Sequence, residues 1–190
     1  MQSISPETIF RGNGAWEKAL PQIVNFTKSP LILGRSIHTN DIRNKIFRDL
    51  KNQNLSVNLA NLQFDCCYED ISKVKNIILN NNHDAVIAVG GGKVLDSGKY
   101  IAEILNIACI TVPLSASTCA GWTALSNIYT IKGQFIKDVA LKSCPKVLVF
   151  DHEFIKTAPS RTLASGIADA LAKWYESSIT SSRINDGLVQ

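Results

Sequence analysis

Residues 86–99 read VIAVGGGKVLDSGK, and this stretch decides the fold. An apolar run ends at Gly90, Gly91 and Gly92, which lack β-carbons and therefore let a ligand approach the backbone. The apolar residues that follow recur at helical spacing, and the start of a helix offers unpaired N–H groups and the positive end of its dipole. The stretch predicts a strand, a phosphate-binding loop and a helix.

The glycine loop matches neither of two well-known phosphate loops. Val94 follows Lys93 where GxxxxGK[ST] needs Ser or Thr, and no further glycine completes GxGxxG. The alternative interpretation is a tight turn that binds nothing. Three glycines in a row cost more backbone entropy than a turn requires, so we favour the phosphate site.

The rest of the chain alternates short apolar runs with amphipathic stretches. The runs lie at residues 30–34, 85–89, 108–112 and 146–150, with a further strand region at 55–65, and helices are predicted over 40–52, 69–82 and 93–106. This alternation predicts an α/β fold, a Rossmann-like, mainly parallel sheet with helices on both faces. Residues 124–131 and 135–141 predict a β-hairpin inserted in the sheet. Ligands of such sheets bind beyond the carboxyl ends of the strands, where the glycine loop lies.

Composition excludes several classes of partner. Of the 190 residues 45% are hydrophobic and 19% charged, which indicates a globular protein. The net charge of +4 comes without a basic cluster, so no nucleic-acid partner is expected. No secretory signal or membrane span is recognisable. Five cysteines without a CxxC pair predict reduced thiols and a cytoplasmic protein. His38, His83 and His152 lack ligand spacing and are expected to be ordinary surface or loop residues.

A last helix is predicted after Pro159, a residue suited to a first helical turn. Its apolar residues lie at helical spacing: Leu163, Ile167, Ala170, Leu171 and Trp174. Such a stripe needs an element to pack against. We expect most of its partners to lie outside this sequence.

Three segments of the chain resemble one protein family, and their order and spacing agree with it. They are GGGKVLDSGK at residues 90–99, PLSASTCAGWTALSNIYT at 113–130 and APSRTLASGIADALAKWYES at 158–177. The chain resembles the iron-containing alcohol dehydrogenases and glycerol dehydrogenases, relatives of the dehydroquinate synthases. The resemblance implies a dinucleotide-binding domain at residues 1–157 and, at 158–190, the first helix of a truncated helical metal-binding domain. It also implies metal-dependent hydride transfer between NAD or NADP and a glycerol-like polyol or other secondary alcohol.

The resemblance further implies which residues touch the cofactor. They are Gly91, Gly92, Lys93, Val94, Leu95, Asp96, Leu114, Ser115, Ala116, Ser117, Thr118, Thr123, Leu125 and Tyr129. Other interpretations stay open: Lys93 is solvent-exposed, Asp96 pairs with Lys99 or is a first-turn carboxylate on the helix dipole, and residues 114–118 form an ordinary polar turn.

Two residues are implied to serve the substrate and the metal. Cys119 stands where the glycerol dehydrogenase pattern has a substrate-binding aspartate, so a less polar alcohol, or a larger one stacked on Trp122, becomes plausible. The alternative is a buried structural cysteine. Asp169 is implied to bind a divalent metal with two histidines from farther along, zinc rather than iron. The alternative is a surface salt bridge with Lys173.

Arg35 follows the first predicted strand, where the family often has an acid that holds the adenosine ribose. An arginine there suits the 2′-phosphate of NADP.

Two other functions stay open. In the first, the chain by itself is a dinucleotide-binding module without catalysis, because one aspartate cannot hold a catalytic metal. Alternatively, the scaffold serves a glycerol-1-phosphate dehydrogenase or a dehydroquinate-synthase-like enzyme. For the full-length protein we expect an active homo-oligomer with a small alcohol substrate, whereas the fragment alone is expected to be inactive.

Overall fold

The computed structural model describes residues 5–181, which contain eight strands, six α-helices and a 3-10 turn at Ile37–Thr39. Strands β1 to β8 are Thr8–Gly12, Pro30–Gly34, Asn58–Asn61, Ala85–Gly90, Ala108–Pro113, Leu125–Tyr129, Phe135–Ala140 and Val147–Asp151. Helices α1 to α6 are Ala15–Phe26, Asn40–Asn52, Tyr68–Asn80, Gly92–Leu105, His152–Ile155 and Ser160–Ser181. Six strands form one parallel sheet in the order β1-β8-β5-β4-β2-β3, which confirms the predicted fold class.

The core consists of two layers because side chains alternate between the faces of each strand. Ile32 and Ile87 face one side and pack with α1 and α2, whereas Leu31 and Leu33 face the other and pack with α3 and α4. The strands β2 and β4 are buried along their whole length. This double coverage is typical of parallel sheets and explains their continuous apolar runs.

The register of the strands aligns their carboxyl ends. Gly90 of β4 pairs with Pro113 of β5, and on its other side β4 pairs with β2, which ends at Gly34. The segments that leave these strands therefore emerge side by side. This edge of the sheet holds the glycine loop, Arg35 and the Ser/Thr segment of residues 114–118.

The structure departs from expectation near the amino terminus. The sequence analysis predicted neither β1, an edge strand with partly exposed residues, nor α1, which contains Pro21. The predicted strand region 55–65 shortens to Asn58–Asn61. His83 lies in the loop before β4, as one of the two predicted placements has it, but it is buried and its ring bonds to Ser29.

The predicted hairpin forms but does not join the parallel sheet. The strands β6 and β7 make a separate two-stranded antiparallel sheet. Both edges of β5 are already taken, by β4 and β8, so the inserted strands have no free edge to pair with. The hairpin packs instead over α4, where the Ser126 hydroxyl donates to the Asp96 carbonyl at 3.0 Å.

Candidate functional site

The glycine loop sits at the start of α4, at the carboxyl edge of the sheet. Gly91 precedes the helix and supplies no side-chain cap. Its carbonyl accepts from the amides of Val94 and Leu95 at 3.0 and 3.1 Å. The amides of Gly92 and Lys93 precede those first helical bonds and are the N–H groups that a helix start leaves unpaired. An anion is therefore expected at Gly92 and Lys93.

A cavity of about 230 Å³ opens beside these amides. Glycines 90–92 form one side of it, together with Val89, Lys93 and Val94. Arg35, Ser36 and Thr39, from the segment after β2, form the other. The glycine loop and Arg35, predicted separately, thus share one cavity.

The Ser/Thr segment lies directly against the glycine loop. The Leu114 amide donates to the Gly90 carbonyl at 3.0 Å. A β-carbon added at Gly92 would lie 3.2 Å from the Thr118 methyl group, closer than ordinary contact. Ser115 and Ser117 hydrogen-bond to each other through their hydroxyls at 3.0 Å. The fold therefore brings hydroxyl groups to the same edge as the glycine loop.

Helix α6 reaches the same edge from the far end of the chain. A β-carbon added at Gly166 would overlap the Ala116 carbonyl oxygen, so the helix rests on the Ser/Thr segment. About one helical turn after Gly166, the Asp169 carboxylate lies 4.0 Å from the Lys173 ammonium. The pKa of Lys173 is raised first by its hydrogen bond to Glu176, and more weakly by Asp169 and the thiol of Cys119. The exposed Cys119 is thus a neighbour of α6.

Asp169 makes the salt bridge that was its alternative interpretation. Within residues 5–181, no three His, Cys, Asp or Glu side chains cluster closely enough to hold a metal. The described part of the chain therefore does not complete a metal site, and the metal role of Asp169 stays a prediction.

Asp96 also makes the pair that was its alternative interpretation. Its carboxylate lies 3.0 Å from Lys99 and accepts the Asn127 amide at 3.2 Å, and both partners of the pair are buried. Burial raises the pKa of the Asp96 carboxyl, against the opposing pull of Lys99. Lys99 also donates to the carbonyls of Thr123, at 3.1 Å, and Leu125. These contacts join α4 to the hairpin.

Leu95 is also turned away from the cavity, because its side chain packs in the core and its amide bonds to Gly91. Trp122 is half-buried with its ring 6.2 Å from that of Phe150. The cofactor contacts that the resemblance implies for Leu95, Asp96, Thr123 and Leu125 stay predictions.

The sequence analysis missed Asp65, a buried carboxylate beside the cavity. It accepts a hydrogen bond from Lys93, and its other oxygen lies 3.2 Å from Arg35. Lys93 is further placed over the Tyr129 ring, 4.9 Å from its centroid. A signal was available, because Asp65 follows a strand at the ligand-binding edge of the sheet.

A larger cavity of about 730 Å³ lies at the opposite edge, where the strands begin. Some of its charged groups are already engaged: Lys146 pairs with Glu7 at 3.0 Å, and Glu103 accepts the Lys142 backbone amide at 3.3 Å. Parallel sheets bind ligands at the carboxyl ends of their strands. We therefore take the smaller cavity as the candidate site.

Comparisons with known proteins identify the family of the chain. A sequence model of the iron-containing alcohol dehydrogenase family matches residues 6–152, and the chain belongs to that family. It is 38% identical over 185 residues to an uncharacterised oxidoreductase of Synechocystis, covering 97% of this chain and 47% of that protein. It is 32% identical over 146 residues to a glycerol dehydrogenase of Escherichia coli, covering 77% and 40%.

A solved structure extends the comparison to three dimensions. Glycerol dehydrogenase from Schizosaccharomyces pombe superposes with a TM-score of 0.82 at 31% identity, covering 92% of this chain and 44% of that one. The chain thus spans about half the length of the relatives that it matches. Among residues 5–181, every helix is too short or too polar to cross a bilayer.

Proposed function

We propose that the whole protein is a metal-dependent oxidoreductase that transfers a hydride between an alcohol and a nicotinamide dinucleotide. One observation carries the proposal: the glycine loop, the Ser/Thr segment and α6 converge on one edge of a parallel sheet. In this proposal residues 1–157 form the dinucleotide-binding domain, and residues 158–190 begin a helical domain. Leu163, Leu171 and Trp174 of α6 are exposed, as expected of a helix that packs against a further domain.

The residues present fit a dinucleotide. The unpaired amides of Gly92 and Lys93 would bind the pyrophosphate, and the dipole of α4 favours the negative charge. Gly91 leaves room for it, since a β-carbon there would meet only the Ser115 hydroxyl, at 3.9 Å. Hydroxyls of Ser115, Ser117 and Thr118 would bind the ribose or the nicotinamide. The bound cofactor supplies the hydride chemistry, and the protein orients it toward the alcohol.

The metal and the substrate rest on fewer residues. Asp169 would supply one ligand, and the others must come from outside the described residues, because a catalytic metal needs about three protein ligands. We propose zinc, for which carboxylate and imidazole ligands are suitable. The thiol of Cys119 would face the substrate. A neutral thiol is a weaker hydrogen-bond partner than a carboxylate, which favours an alcohol less polar than glycerol.

Equilibrium binding tests the cofactor site directly. Titration with NADH and NADPH, followed by nicotinamide fluorescence, should show saturable binding of at least one of them. Gly92→Val should weaken that binding by about tenfold or more, because its side chain displaces Thr118 and covers the amides. Ala140→Val, on the exposed strand β7, is the matched control and should bind like wild type. No saturable binding by folded protein would contradict the proposal.

Activity tests the rest of the proposal. The whole protein should oxidise alcohols from a panel that includes glycerol, lose activity with a chelator, and regain it best with zinc. If metal analysis finds iron, the choice of zinc is wrong and the rest of the proposal stands.

A binding module without catalysis is the second candidate. The observation in its favour is the lack of a three-ligand cluster within residues 5–181. Cofactor binding without turnover of any alcohol, whichever metal is added, would establish this second candidate. A phosphate-bearing substrate, as in the glycerol-1-phosphate or dehydroquinate-synthase alternative, has less support, since Lys173 is the basic group beside Asp169. Cytoplasmic location and homo-oligomerisation stay predictions, the former consistent with five free cysteines.

A further inference from the structure

We propose that Arg35 makes the site selective for NADP(H) by binding the 2′-phosphate of its adenosine, with Lys93 as the second cation. The inference rests on the dinucleotide site proposed above and specifies its ligand. Four observations carry it: the lining of the cavity, the engagement of Asp65, the free donors of Arg35, and the anchoring of the segment that carries it.

The lining of the cavity is positive. Of the described residues around it, Arg35 and Lys93 are cations, Ser36 and Thr39 carry hydroxyls, and none is an acid. A site for NAD typically uses a carboxylate to accept the ribose 2′-hydroxyl, whereas a site for NADP places an arginine near the 2′-phosphate. The residues that line this cavity therefore fit a site for NADP.

The nearby carboxylate is not available to a ribose. Asp65 is buried and does not line the cavity. Its two oxygens face Lys93 and Arg35, on opposite sides of the cavity. One carboxylate cannot neutralise two cations, so the rim keeps a net positive charge. Asp65 thus acts as a positioning residue that draws both cations to the cavity without cancelling them.

The guanidinium of Arg35 retains its hydrogen-bond donors. Its contact with Asp65 has the distance of an ion pair but not the geometry of a hydrogen bond. Within residues 5–181, Arg35 has no other polar partner. A planar guanidinium with free N–H groups suits bidentate binding of a phosphate.

Hydrogen bonds from Arg43 hold the segment that carries Arg35 in place. Arg43 of α2 is buried and donates to the Ser36 carbonyl at 3.0 Å. Arg43 also bonds to the Asn61 side chain at the end of β3. The backbone beside Arg35 is therefore held at the cavity, so little ordering is needed on binding.

The test is equilibrium binding of NADPH and NADH to the whole protein, a readout that requires no turnover. We expect NADPH to bind at least about tenfold more tightly than NADH, the difference that one charge-assisted contact supplies. Arg35→Ala should remove most of that ratio by weakening NADPH binding far more than NADH binding, and Arg35→Lys should keep part of it. The ratio should shrink as salt rises, because exposed charges are screened.

Arg48→Ala is the matched control, since Arg48 is an exposed arginine on α2 away from the cavity. Its NADPH-to-NADH ratio should equal that of wild type. Lys93→Ala should lower the ratio, but also weaken both cofactors, since Lys93 adjoins the pyrophosphate amides.

The possible outcomes distinguish failure of the NADP inference from failure of the proposed dinucleotide site. Equal or tighter binding of NADH by wild type would overturn the NADP inference and leave the dinucleotide site standing. Loss of both cofactors alike in Arg35→Ala would assign Arg35 a structural role and also overturn the inference. Failure of wild type to bind either cofactor would end the proposed function itself.

Discussion

Helices α4 and α6 carry the same pattern in opposite surroundings. Each has an acid followed within one turn by a lysine, Asp96 with Lys99 and Asp169 with Lys173. In α4 the two side chains are 8% and 1% exposed and lie 3.0 Å apart. In α6 they are 45% and 56% exposed and lie 4.0 Å apart.

The difference shows that the sequence pattern of a pair does not determine its importance. A buried pair loses the solvation of both charges and depends on every remaining contact, whereas water and salt screen an exposed one. Lys99 has three donors and uses them on Asp96, Thr123 and Leu125. The pair in α4 therefore joins helix to hairpin, whereas the pair in α6 leaves Asp169 free for another partner.

The largest effect is expected from breaking the buried pair. Lys99→Met leaves the Asp96 carboxylate buried without its cation, which costs about 3–5 kcal/mol of unfolding free energy. Denaturant titration measures it. The double variant Asp96→Leu/Lys99→Met should recover part of the loss, because it removes both charges.

Lys173→Met is the matched comparison in α6. Lys173 is exposed to solvent, so the unfolding free energy should not change measurably. Equal losses in Lys99→Met and Lys173→Met would contradict the contrast between the two helices.

A smaller effect is expected where α6 rests on the Ser/Thr segment. In an isolated helix Gly166→Ala would stabilise by about 1 kcal/mol. Here the added methyl group overlaps the Ala116 carbonyl, so we expect a net loss of about 1–3 kcal/mol. The sign of the change, measured by chemical unfolding, decides whether α6 is docked in solution. Ala170→Gly, at an exposed position of α6, controls for helix propensity.

The remaining predictions concern the cysteines beside the two helices. Cys66 is buried against Ser97 of α4, and burial raises its pKa to about 12. Relative to a thiol with the ordinary pKa of 9.0, this lowers the thiolate fraction about a thousandfold. Cys119, beside α6, is exposed. Iodoacetamide should therefore label Cys119 in the native protein and spare Cys66, as peptide mass spectrometry would show; equal labelling would contradict it.

The same pKa predicts an alkaline limit to stability. The folded-state pKa of Cys66 lies above its value in the unfolded chain, so its contribution is fully present below pH 9.0 and is lost as pH rises toward about 12. Cys66→Ala should make the fall of unfolding free energy in that range shallower, by about 1.4 kcal/mol per pH unit. An unchanged slope would show that Cys66 does not titrate this way.

Much of the fold was predictable because buried parallel strands have a strong local signature. The runs at β2, β4 and β5 are continuous and apolar, and Ile71, Val74 and Ile78 of α3 are buried at the expected spacing. The edge strand β1 was missed, since half-exposed strands lack such a run. In the candidate site, the glycine loop and Arg35 were predicted, but Asp65 was not, because its role depends on contacts with residues distant in sequence.

By itself, the sequence determined the parallel α/β fold, the glycine loop and the family, since apolar period, backbone freedom and motif order are local properties of the chain. Only the tertiary structure decided which acid–lysine pair is buried, that the hairpin stands apart from the sheet, and that Asp65 draws Arg35 and Lys93 to one cavity. Burial and charge neighbours arise from packing between distant segments, and the same acid and lysine therefore behave differently in α4 and α6.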